Sequence, residues 1–449
     1  MASSLIGIHN PGALCYLIAV VQQLYRMPEV SALVRALPVE VEVEWVSKSS
    51  EPVNKGLLLV EVISALKLLF NDMHSREMED RVIDDVTIDI LPLWRSMSLY
   101  FNDGLIIEDV NCQQDAIETY SRLVQIIERY LTTFSTQEKR KGVAEGREQS
   151  GARRPLHGLL RGSLVHLLET NQPSPATAAT DKRTIEKLEA YSYISLGVLE
   201  KDSMIDGLED SLRAFTRQEE IMLRWPTIRS STSSSNCSGD PSKGAASHAV
   251  SAAVSTLKST RLRSAPIYLC IQLRKFRFDV ATMSKQKIHD EFSFPTLLDL
   301  SPYMMPPAAD DAATGGEECR YALSGCVVHR GREATSGHYY SYVRHRSCSG
   351  GHAGDWFALD DQLVYPVALD EVLKEAFGGM RLGDGGGSAS SSGGDESNRS
   401  SSDTGDHEDD DDSDGSDDAD DSSSEDSDCD DSSDIHLPTS AIILFYDKL

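Results

Sequence analysis

The sequence predicts an α+β protein in which helices come first and strands follow. Up to about residue 133, apolar residues recur with the spacing of helices, most clearly in residues 53–73 and 113–131. From residue 162 onward, alternating apolar and polar residues indicate strands, and the last ten residues return to this pattern. A helical part followed by a strand-rich part is the order found in α+β proteins.

The helical part begins with a loop that becomes a buried helix. Residues 7–14 contain the turn-forming pair Pro11 and Gly12, and residues 15–27 are mainly apolar on every side. A helix without a polar face is one that lies inside the protein. We therefore expect Cys15 at the start of a buried helix.

The strand-rich part has one predicted helix and one predicted insert. Residues 162–169 and 191–200 alternate as strands do, and residues 204–221 have the period of an amphipathic helix. Residues 230–259 are rich in Ser, Ala and Gly and offer little material for a core, which predicts an insert. From residue 265 onward, strand patterns dominate.

A second insert holds most of the acidity. Residues 378–434 contain 21 acidic and two basic residues, which is −19 of the net charge of −28. Residues 381–434 consist mainly of Gly, Ser and Asp, and this composition predicts a disordered acidic insert. Because residues 435–449 resume a strand pattern, the insert should be a loop of the fold. It could act as a solvated spacer or bind a basic protein partner.

The composition excludes several classes of protein. No apolar run approaches the roughly 20 residues of a membrane helix, and the N-terminus lacks the pattern of a secretory signal. The moderately acidic remainder of the chain argues against binding to nucleic acid. The eight cysteines are scattered and form no C-x-x-C pair, which predicts neither a disulfide framework nor a zinc site. A cytoplasmic or nuclear location, with no membrane partner and no cofactor, is expected.

Two motifs at opposite ends of the chain suggest thiol chemistry. Residues 7–24 read GIHNPGALCYLIAVVQQL, residues 321–343 read YALSGCVVHRGREATSGHYYSYV, and the stretch WFALDDQLV follows. A thiol nucleophile needs a base, and the base needs a group that orients it. In these motifs Cys15 would be the nucleophile, His338 the base and Asp360 the orienting acid.

These motifs resemble the catalytic boxes of the ubiquitin-specific proteases, a family of cysteine deubiquitinases. The residues that match the first box in order are Gly7, Asn10, Gly12, Cys15, Tyr16 and Gln22. The residues that match the second box are Tyr321, Leu323, His329, Gly331, Gly337, His338, Tyr339, Tyr342, Trp356, Asp360, Asp361 and Val364. Residues 113–128 and 265–279 resemble a helix and a strand of the same family.

The resemblance implies a fold and a division of the chain. It implies a papain-like cysteine protease fold that extends over residues 1–449. Residues 1–133 would form a helical thumb, and residues 155–380 with 435–449 would form a β-rich palm and the fingers. The places of the two zinc-binding cysteine pairs of many family members hold no cysteine pair here. We therefore expect reduced fingers and no metal.

Two histidines compete for the role of the base. Thiolate is the reactive form of cysteine, and both a helix N-terminus and a nearby imidazolium favour it. The plain alternative for Cys15 is a small buried apolar side chain. His329 is the rival of His338, but its strand-like surroundings make it structural, whereas a glycine precedes His338 and tyrosines follow it.

The remaining catalytic roles are implied mainly by the resemblance. Asp360 and Asp361 are adjacent, and neighbours on a strand point to opposite faces, so one of them can face the base. The family assigns this role to Asp360 and leaves Asp361 a supporting one. Asn10 matches the family's side-chain donor to the oxyanion, although formation of a turn before Pro11 is an alternative role. The backbone N–H of Cys15 is the second candidate donor.

The resemblance also implies substrate-binding residues. Asp115 and Glu118 match an acidic pair that receives the arginine-containing tail of ubiquitin, because carboxylates pair strongly with arginine. The alternative is an ordinary acidic helix face. Tyr339 matches a tyrosine that lines the channel for the tail, and Gln22 is expected to contribute to substrate binding.

The function implied is hydrolysis of the isopeptide or peptide bond after the C-terminal glycine of ubiquitin, through an acyl-enzyme. Ubiquitin and ubiquitinated proteins would be the partners. Leu14 and Ile18 replace the usual Thr and Asn beside the nucleophile, which marks a divergent member. The alternatives are an inactive ubiquitin-binding scaffold of the same fold and a protease for another ubiquitin-like modifier.

Overall fold

The computed structural model describes the parts of the chain that form two cores and a candidate site. The described residues are 5–39, 53–78, 87–140, 156–173, 180–200, 203–224, 253–281, 283–306, 319–334, 336–345, 355–379 and 437–449. The predicted acidic insert, residues 381–434, and the predicted serine-rich insert up to residue 252 lie outside these ranges.

Helices dominate the first third of the described chain. They are α1 (Cys15–Tyr25), α2 (Pro28–Ala36), α3 (Val53–Met78), α4 (Leu91–Phe101), α5 (Ala116–Arg140) and the short α6 (Leu156–Leu159). Two later helices are α7 (Leu208–Thr216) and α8 (Leu369–Phe377). No helix in the described ranges is long and apolar enough to cross a membrane.

Strands make up most of the rest. They are β1 (Gly162–Pro173), β2 (Thr180–Tyr191), β3 (Ile194–Gly197), β4 (Leu199–Glu200), β5 (Ser203–Met204), β6 (Glu219–Leu223), β7 (Val254–Ser264), β8 (Tyr268–Arg274), β9 (Phe276–Asp279), β10 (Ser284–Lys287), β11 (Leu297–Asp299), β12 (Arg320–Arg330), β13 (His338–Arg344), β14 (Trp356–Asp360), β15 (Leu363–Val367) and β16 (Thr439–Lys448). Helices followed by strands confirm the predicted α+β class.

The central element is an eight-stranded sheet. Its order is β15-β14-β13-β12-β16-β8-β3, and β11 pairs with β12 beside this path. All neighbours are antiparallel except β3 and β8. The sequence pattern predicts that the C-terminal segment is a strand that docks onto the fold, and β16 does so between β12 and β8.

The sheet is buried on both faces. On one face, Tyr268, Cys270 and Phe445 join the core formed by the helices of the first third. On the other face, Leu269 and Leu444 join a second core that includes residues of α7 and α8. Successive side chains on a strand point to opposite faces, which is why neighbours along β8 and β16 divide between the two cores.

Helix α1 packs between the helical core and the sheet. All eleven of its residues are buried. It begins at Cys15, as the sequence predicts, and the buried side chain of Gln23 donates hydrogen bonds to the carbonyl oxygens of Cys326, at 3.3 Å, and Tyr342, at 2.9 Å. These bonds fix the helix against β12 and β13, the strands that carry the second motif.

A separate four-stranded antiparallel sheet has the order β2-β1-β7-β6. It occupies the part of the chain where the sequence predicts reduced fingers, and β1 and β2 are each 12 residues long. Strand β7 begins at Val254, so the end of the predicted serine-rich insert belongs to this sheet.

The predicted helix over residues 204–221 is too long. The helix α7 ends at Thr216, and Arg217 has an extended backbone. The next segment, β6, pairs with β7 along its whole length. Hydrogen bonding to a neighbouring strand therefore overrides the local helical pattern, as tertiary contacts often do.

Candidate active site

Cys15 is the first residue of α1 and is almost fully buried. As the first helical residue it has a backbone N–H without an acceptor inside the helix, and the helix dipole favours negative charge there. Its Sγ accepts a hydrogen bond of 3.4 Å from the backbone N–H of Tyr339, the second residue of β13. The first motif and the second motif therefore meet at this sulfur.

His338 and Asp360 form a close pair beside Cys15, at the ends of two neighbouring strands. His338 opens β13 and Asp360 ends β14, and these neighbouring strands bring their side chains together. The Nε2–H of His338 donates to Oδ1 of Asp360 at 2.5 Å. This bond leaves Nδ1 as the ring nitrogen available to the thiol.

The surroundings of His338 favour its charged form. The hydrogen bond to Asp360, followed by a hydrogen bond to Cys15, raises the pKa of His338 to about 10, although burial opposes the shift. A pKa in this range keeps the imidazole protonated at neutral pH. The site can therefore hold an imidazolium between a carboxylate and a thiol, and an imidazolium stabilises thiolate.

Asn10 contacts Asp361, the neighbour of Asp360. Its Nδ2 donates to Oδ2 of Asp361 at 2.9 Å, and its Oδ1 accepts from the backbone N–H groups of Gly12, at 3.2 Å, and Leu14, at 3.1 Å. The amide carbonyl therefore forms the turn before α1, and the amide nitrogen faces the second carboxylate. Both roles considered for Asn10, the turn and a donor, are compatible with this geometry, because one amide hydrogen remains.

Asp361 lies in the turn between β14 and β15 rather than on a strand. Its φ of 53° is in the left-handed region, which Asp tolerates better than most residues. Its carbonyl oxygen accepts a hydrogen bond of 2.8 Å from the backbone N–H of Ile8. A Cβ on Gly7 would lie 2.3 Å from the carbonyl oxygen of Gln362, so a glycine is needed for this close approach.

His329 is fully buried, as expected of a structural residue. Burial, with a smaller contribution from Lys287, lowers its pKa to about 3. Its ring packs against Phe276 and Tyr339 with centroid distances of 5.5 Å and 4.7 Å. A histidine held neutral in this way contrasts with His338, which the site holds charged.

Asp115 and Glu118 stand at the start of α5 but have different partners. Oδ1 of Asp115 accepts a hydrogen bond of 3.0 Å from the N–H of Ile117, which caps the helix. The exposed Glu118 forms an ion pair of 2.6 Å with Arg122. Both carboxylates are near the surface, but an arginine of a ligand would have to compete with Arg122 for Glu118.

Two predicted substrate-binding side chains lie in the interior. Gln22 is 1% exposed, and its Oε1 accepts from the hydroxyl of Ser341 at 3.4 Å. Tyr339 is 2% exposed, and both Asp115 and Cys15 contribute to raising the pKa of its phenol, after burial. Packing of α1 on β13 covers both side chains, and their role in substrate binding stays a prediction.

Sequence reasoning missed residues whose role depends on tertiary contacts. Gln23, next to the motif residue Gln22, makes the buried bonds between α1 and the sheet. Glu375 of α8 accepts hydrogen bonds from the hydroxyls of Tyr340, at 2.7 Å, and Tyr342. The Tyr340 ring lies nearly parallel to that of His338 at a centroid distance of 6.1 Å. A tyrosine pattern in the motif could have suggested such a network, but nothing in the sequence identifies Glu375.

Among the described residues, one group of three side chains is close enough together to be considered as a metal site. The ligand atoms of His338, Asp360 and Asp361 all lie within 4.8 Å of one another. Their hydrogen bonds to each other and to Asn10 account for this proximity without an ion. The absence of a bound zinc ion stays a prediction.

A cysteine at a helix start, beside a histidine paired with a carboxylate, is the arrangement of a thiol hydrolase site. The chain belongs to the ubiquitin carboxyl-terminal hydrolase family, whose sequence profile matches residues 6–446. This match confirms the predicted family.

Several curated proteins of this kind are similar to the chain. It is 25% identical over 414 residues to the "Probable ubiquitin carboxyl-terminal hydrolase FAF" of Drosophila melanogaster, which covers 84% of the chain and 13% of that protein. It is 23% identical over 363 residues to "Ubiquitin carboxyl-terminal hydrolase 26" of Oryza sativa subsp. japonica, covering 81% of the chain and 26% of that protein. It is 25% identical over 401 residues to "Ubiquitin carboxyl-terminal hydrolase 24" of Mus musculus, covering 84% and 12%. The chain thus spans between 12% and 26% of the length of these relatives.

Proposed function

We propose that the chain is a thiol-dependent deubiquitinase that hydrolyses the bond after the C-terminal glycine of ubiquitin. The observation that carries the proposal is the position of Cys15. Its sulfur lies at the positive end of a buried helix, and its neighbour His338 donates to Asp360 at 2.5 Å. Membership in the ubiquitin carboxyl-terminal hydrolase family supports ubiquitin as the substrate.

In the first half of the reaction, the thiolate of Cys15 attacks the carbonyl carbon of the terminal glycine. A bond from sulfur to carbon forms, and negative charge develops on the carbonyl oxygen. His338, held as an imidazolium, gives its proton to the leaving amine as the carbon–nitrogen bond breaks. Asp360 keeps the ring oriented and stabilises its charge throughout.

The developing charge on oxygen requires hydrogen-bond donors. The backbone N–H of Cys15 is free of the helix ladder, and Asn10 retains one amide hydrogen beyond the bond to Asp361. We propose that these two donors form the oxyanion hole. In this proposal Asp361 supports catalysis by orienting Asn10. It does not need to contact His338 for that role.

In the second half, water replaces the amine. His338, now neutral, takes a proton from the water, and the oxygen attacks the thioester carbonyl. Collapse of the intermediate breaks the sulfur–carbon bond and releases the carboxylate of ubiquitin. The proton on His338 restores the starting pair with the Cys15 thiolate.

The tail of ubiquitin would approach from the start of α5. Asp115 and Glu118 would receive its arginine, and Tyr339 interacts electrostatically with both Asp115 and Cys15. The tail would then cover Tyr339 rather than penetrate beside it, because that side chain is already buried. The tail of ubiquitin ends in two glycines. A narrow channel that admits glycine but no larger side chain would therefore provide specificity.

Steady-state hydrolysis of ubiquitin with a fluorogenic amide at its C-terminus tests this proposal. The wild-type chain should release the fluorophore, and the Cys15→Ala variant should release none while retaining its thermal unfolding temperature. Binding of ubiquitin by the wild type without any release would favour the inactive scaffold, whereas release only from another ubiquitin-like modifier would favour that modifier's protease.

A further inference from the structure

The position of His338 depends on the turn that precedes it. This turn joins β12 to β13, and Arg330 pairs with His338 where the two strands meet it. Gly331 and Gly337 flank the turn with φ values of 149° and 137°. The backbone of this turn therefore determines the position of the His338 side chain. A residue that holds the turn in place also holds the base in place.

One side of the turn is fixed by packing. A Cβ on Gly337 would lie 2.4 Å from the carbonyl oxygen of Arg330 and 2.7 Å from Nε2 of the buried His329. The turn therefore sits directly on the His329 ring with no space between them. This packing prevents the turn from moving toward the core. It does not prevent the turn from moving away from the core.

Lys287, the last residue of β10, holds the turn against the core through hydrogen bonds. Its side chain is buried, and its Nζ donates to the carbonyl oxygens of His329 at 2.7 Å, Gly331 at 3.0 Å and Pro438 at 3.0 Å. Burial lowers the pKa of Lys287 to about 7, so at pH 6 the side chain is mainly an ammonium group. The three hydrogens of that group are all satisfied by these three acceptors. The N–H of Gly331 donates to the same oxygen of Pro438 at 3.1 Å. One side chain thus joins the end of β12, the start of the turn and the residue that leads into β16.

We propose that Lys287 is a positioning residue for His338. It never touches the reacting atoms, but it fixes the backbone of the turn from which the base projects. Strand β10 adds a second link, because Gln286 forms a bridge with Glu333 in the turn. The inference rests on the proposed function, since it assigns the turn the task of keeping His338 beside Cys15.

Lys275 provides a matched control. It is also a buried lysine, with 0% of its surface exposed, but its Nζ donates to the carbonyl oxygen of Asp290, at 2.6 Å, and lies over the Phe292 ring. None of these contacts involves the turn before His338. Replacing either lysine with Met leaves carbonyl oxygens without their hydrogen-bond donor, so both variants should lose stability. Only Lys287→Met should also disturb the base.

The test is the rate at which iodoacetamide alkylates Cys15 between pH 5 and 9, followed by mass spectrometry of the peptide that contains Cys15. A thiolate–imidazolium pair keeps this rate high at acidic pH. We expect Lys287→Met to lower the rate at pH 6 by about tenfold, the effect of moving the profile by one pH unit. Lys275→Met should follow the wild-type profile. On fluorogenic ubiquitin, kcat should fall for Lys287→Met while KM changes little.

A Lys287→Met profile that superimposes on the wild type, with loss of thermal stability alone, would overturn the inference and leave the proposed function intact. A wild-type profile without reactivity at acidic pH would contradict the Cys15–His338 pair itself, and with it this inference. If Lys287→Met does not fold, Lys287→Arg decides the matter. Arginine cannot direct three hydrogens from one nitrogen to three carbonyls, so its profile should shift partway, whereas Lys275→Arg should match the wild type.

Discussion

The side-chain amide of Asn10 donates to the carboxylate of Asp361 at 2.9 Å, across 351 residues of sequence. The bond links the loop before Cys15 to the turn after Asp360. It gives the two adjacent aspartates different partners, since Asp360 accepts from His338 and Asp361 from Asn10. The base and the proposed oxyanion donor are therefore oriented by separate carboxylates.

Exchanging the two groups tests the role of Asn10. The double variant Asn10→Asp with Asp361→Asn can restore a hydrogen bond between the positions, but residue 10 then has no hydrogen to donate to an oxyanion. We expect its thermal stability to approach that of the wild type. Its kcat on fluorogenic ubiquitin should remain about 10²–10³-fold lower, the effect of losing one oxyanion donor.

The single variants complete this comparison. Asn10→Asp places two carboxylates against each other and should be less stable than the double variant. Asp361→Asn suits the left-handed backbone at this position, so its effect should reflect lost charge rather than strain. Recovery of kcat together with stability in the double variant would show that Asn10 has a purely structural role.

Asp360→Asn should change how stability depends on pH. In the folded chain the pKa of His338 is raised to about 10, above the value of about 6.5 expected when unfolded. A raised histidine pKa contributes stability that is complete below pH of about 6.5 and is lost as the pH rises through about 10. The difference in unfolding temperature between wild type and variant should therefore be largest at pH 6 and shrink toward pH 10. A difference that grows with pH would contradict this account.

Gly7→Ala should lower both stability and activity, although Gly7 is not one of the reacting residues. The new Cβ would meet the carbonyl oxygen of Gln362 at 2.3 Å, which forces the turn holding Asp361 to move. We expect a loss of about 1–3 kcal/mol in the free energy of unfolding, measured by urea denaturation, and a lower kcat. Gly158→Ala is the control, because a Cβ there meets nothing within 4 Å.

Variants of Asp115, which precedes α5, and of Glu118 in its first turn should affect substrate binding without affecting the chemical step. Asp115→Asn keeps an oxygen that can cap the helix, and Glu118→Gln gives up an exposed ion pair with Arg122, worth about 0.3–0.5 kcal/mol. Both variants should therefore fold normally. Loss of a charge-assisted bond to an arginine of ubiquitin should raise KM about tenfold or more and leave kcat nearly unchanged. A fall in kcat at constant KM would argue against these residues as binding sites for the tail.

Much of the site could be predicted because its residues lie in short motifs with fixed spacing. Cys15 begins a buried helix, as an apolar run after a turn indicates, and His338 and Asp360 lie on paired neighbouring strands. The partner of Asp361 could not be predicted. It depends on a left-handed turn residue and on the packing of the N-terminal segment against that turn, neither of which the local pattern encodes.

Tertiary contacts also decide the features that the local sequence does not show. Gln22 and Tyr339 match the motifs, yet α1 and β13 bury both side chains against each other. The segment after Thr216 has a helical pattern but pairs with β7, because a strand partner was available. Lys287 belongs to no motif that suggested function, and its three acceptors come from two distant parts of the chain. Residues that act through backbone contacts leave little trace in the local sequence.

The most direct test of the central claim uses ubiquitin with a thiol-reactive electrophile at its C-terminus, analysed by intact mass. The wild-type chain should gain the mass of one ubiquitin, and Cys15→Ala should gain none. His338→Ala should react far more slowly than the wild type, because the thiolate loses its imidazolium partner. Labelling that persists in Cys15→Ala, or no labelling of a folded wild-type chain, would contradict the assignment of Cys15 as the ubiquitin-directed nucleophile.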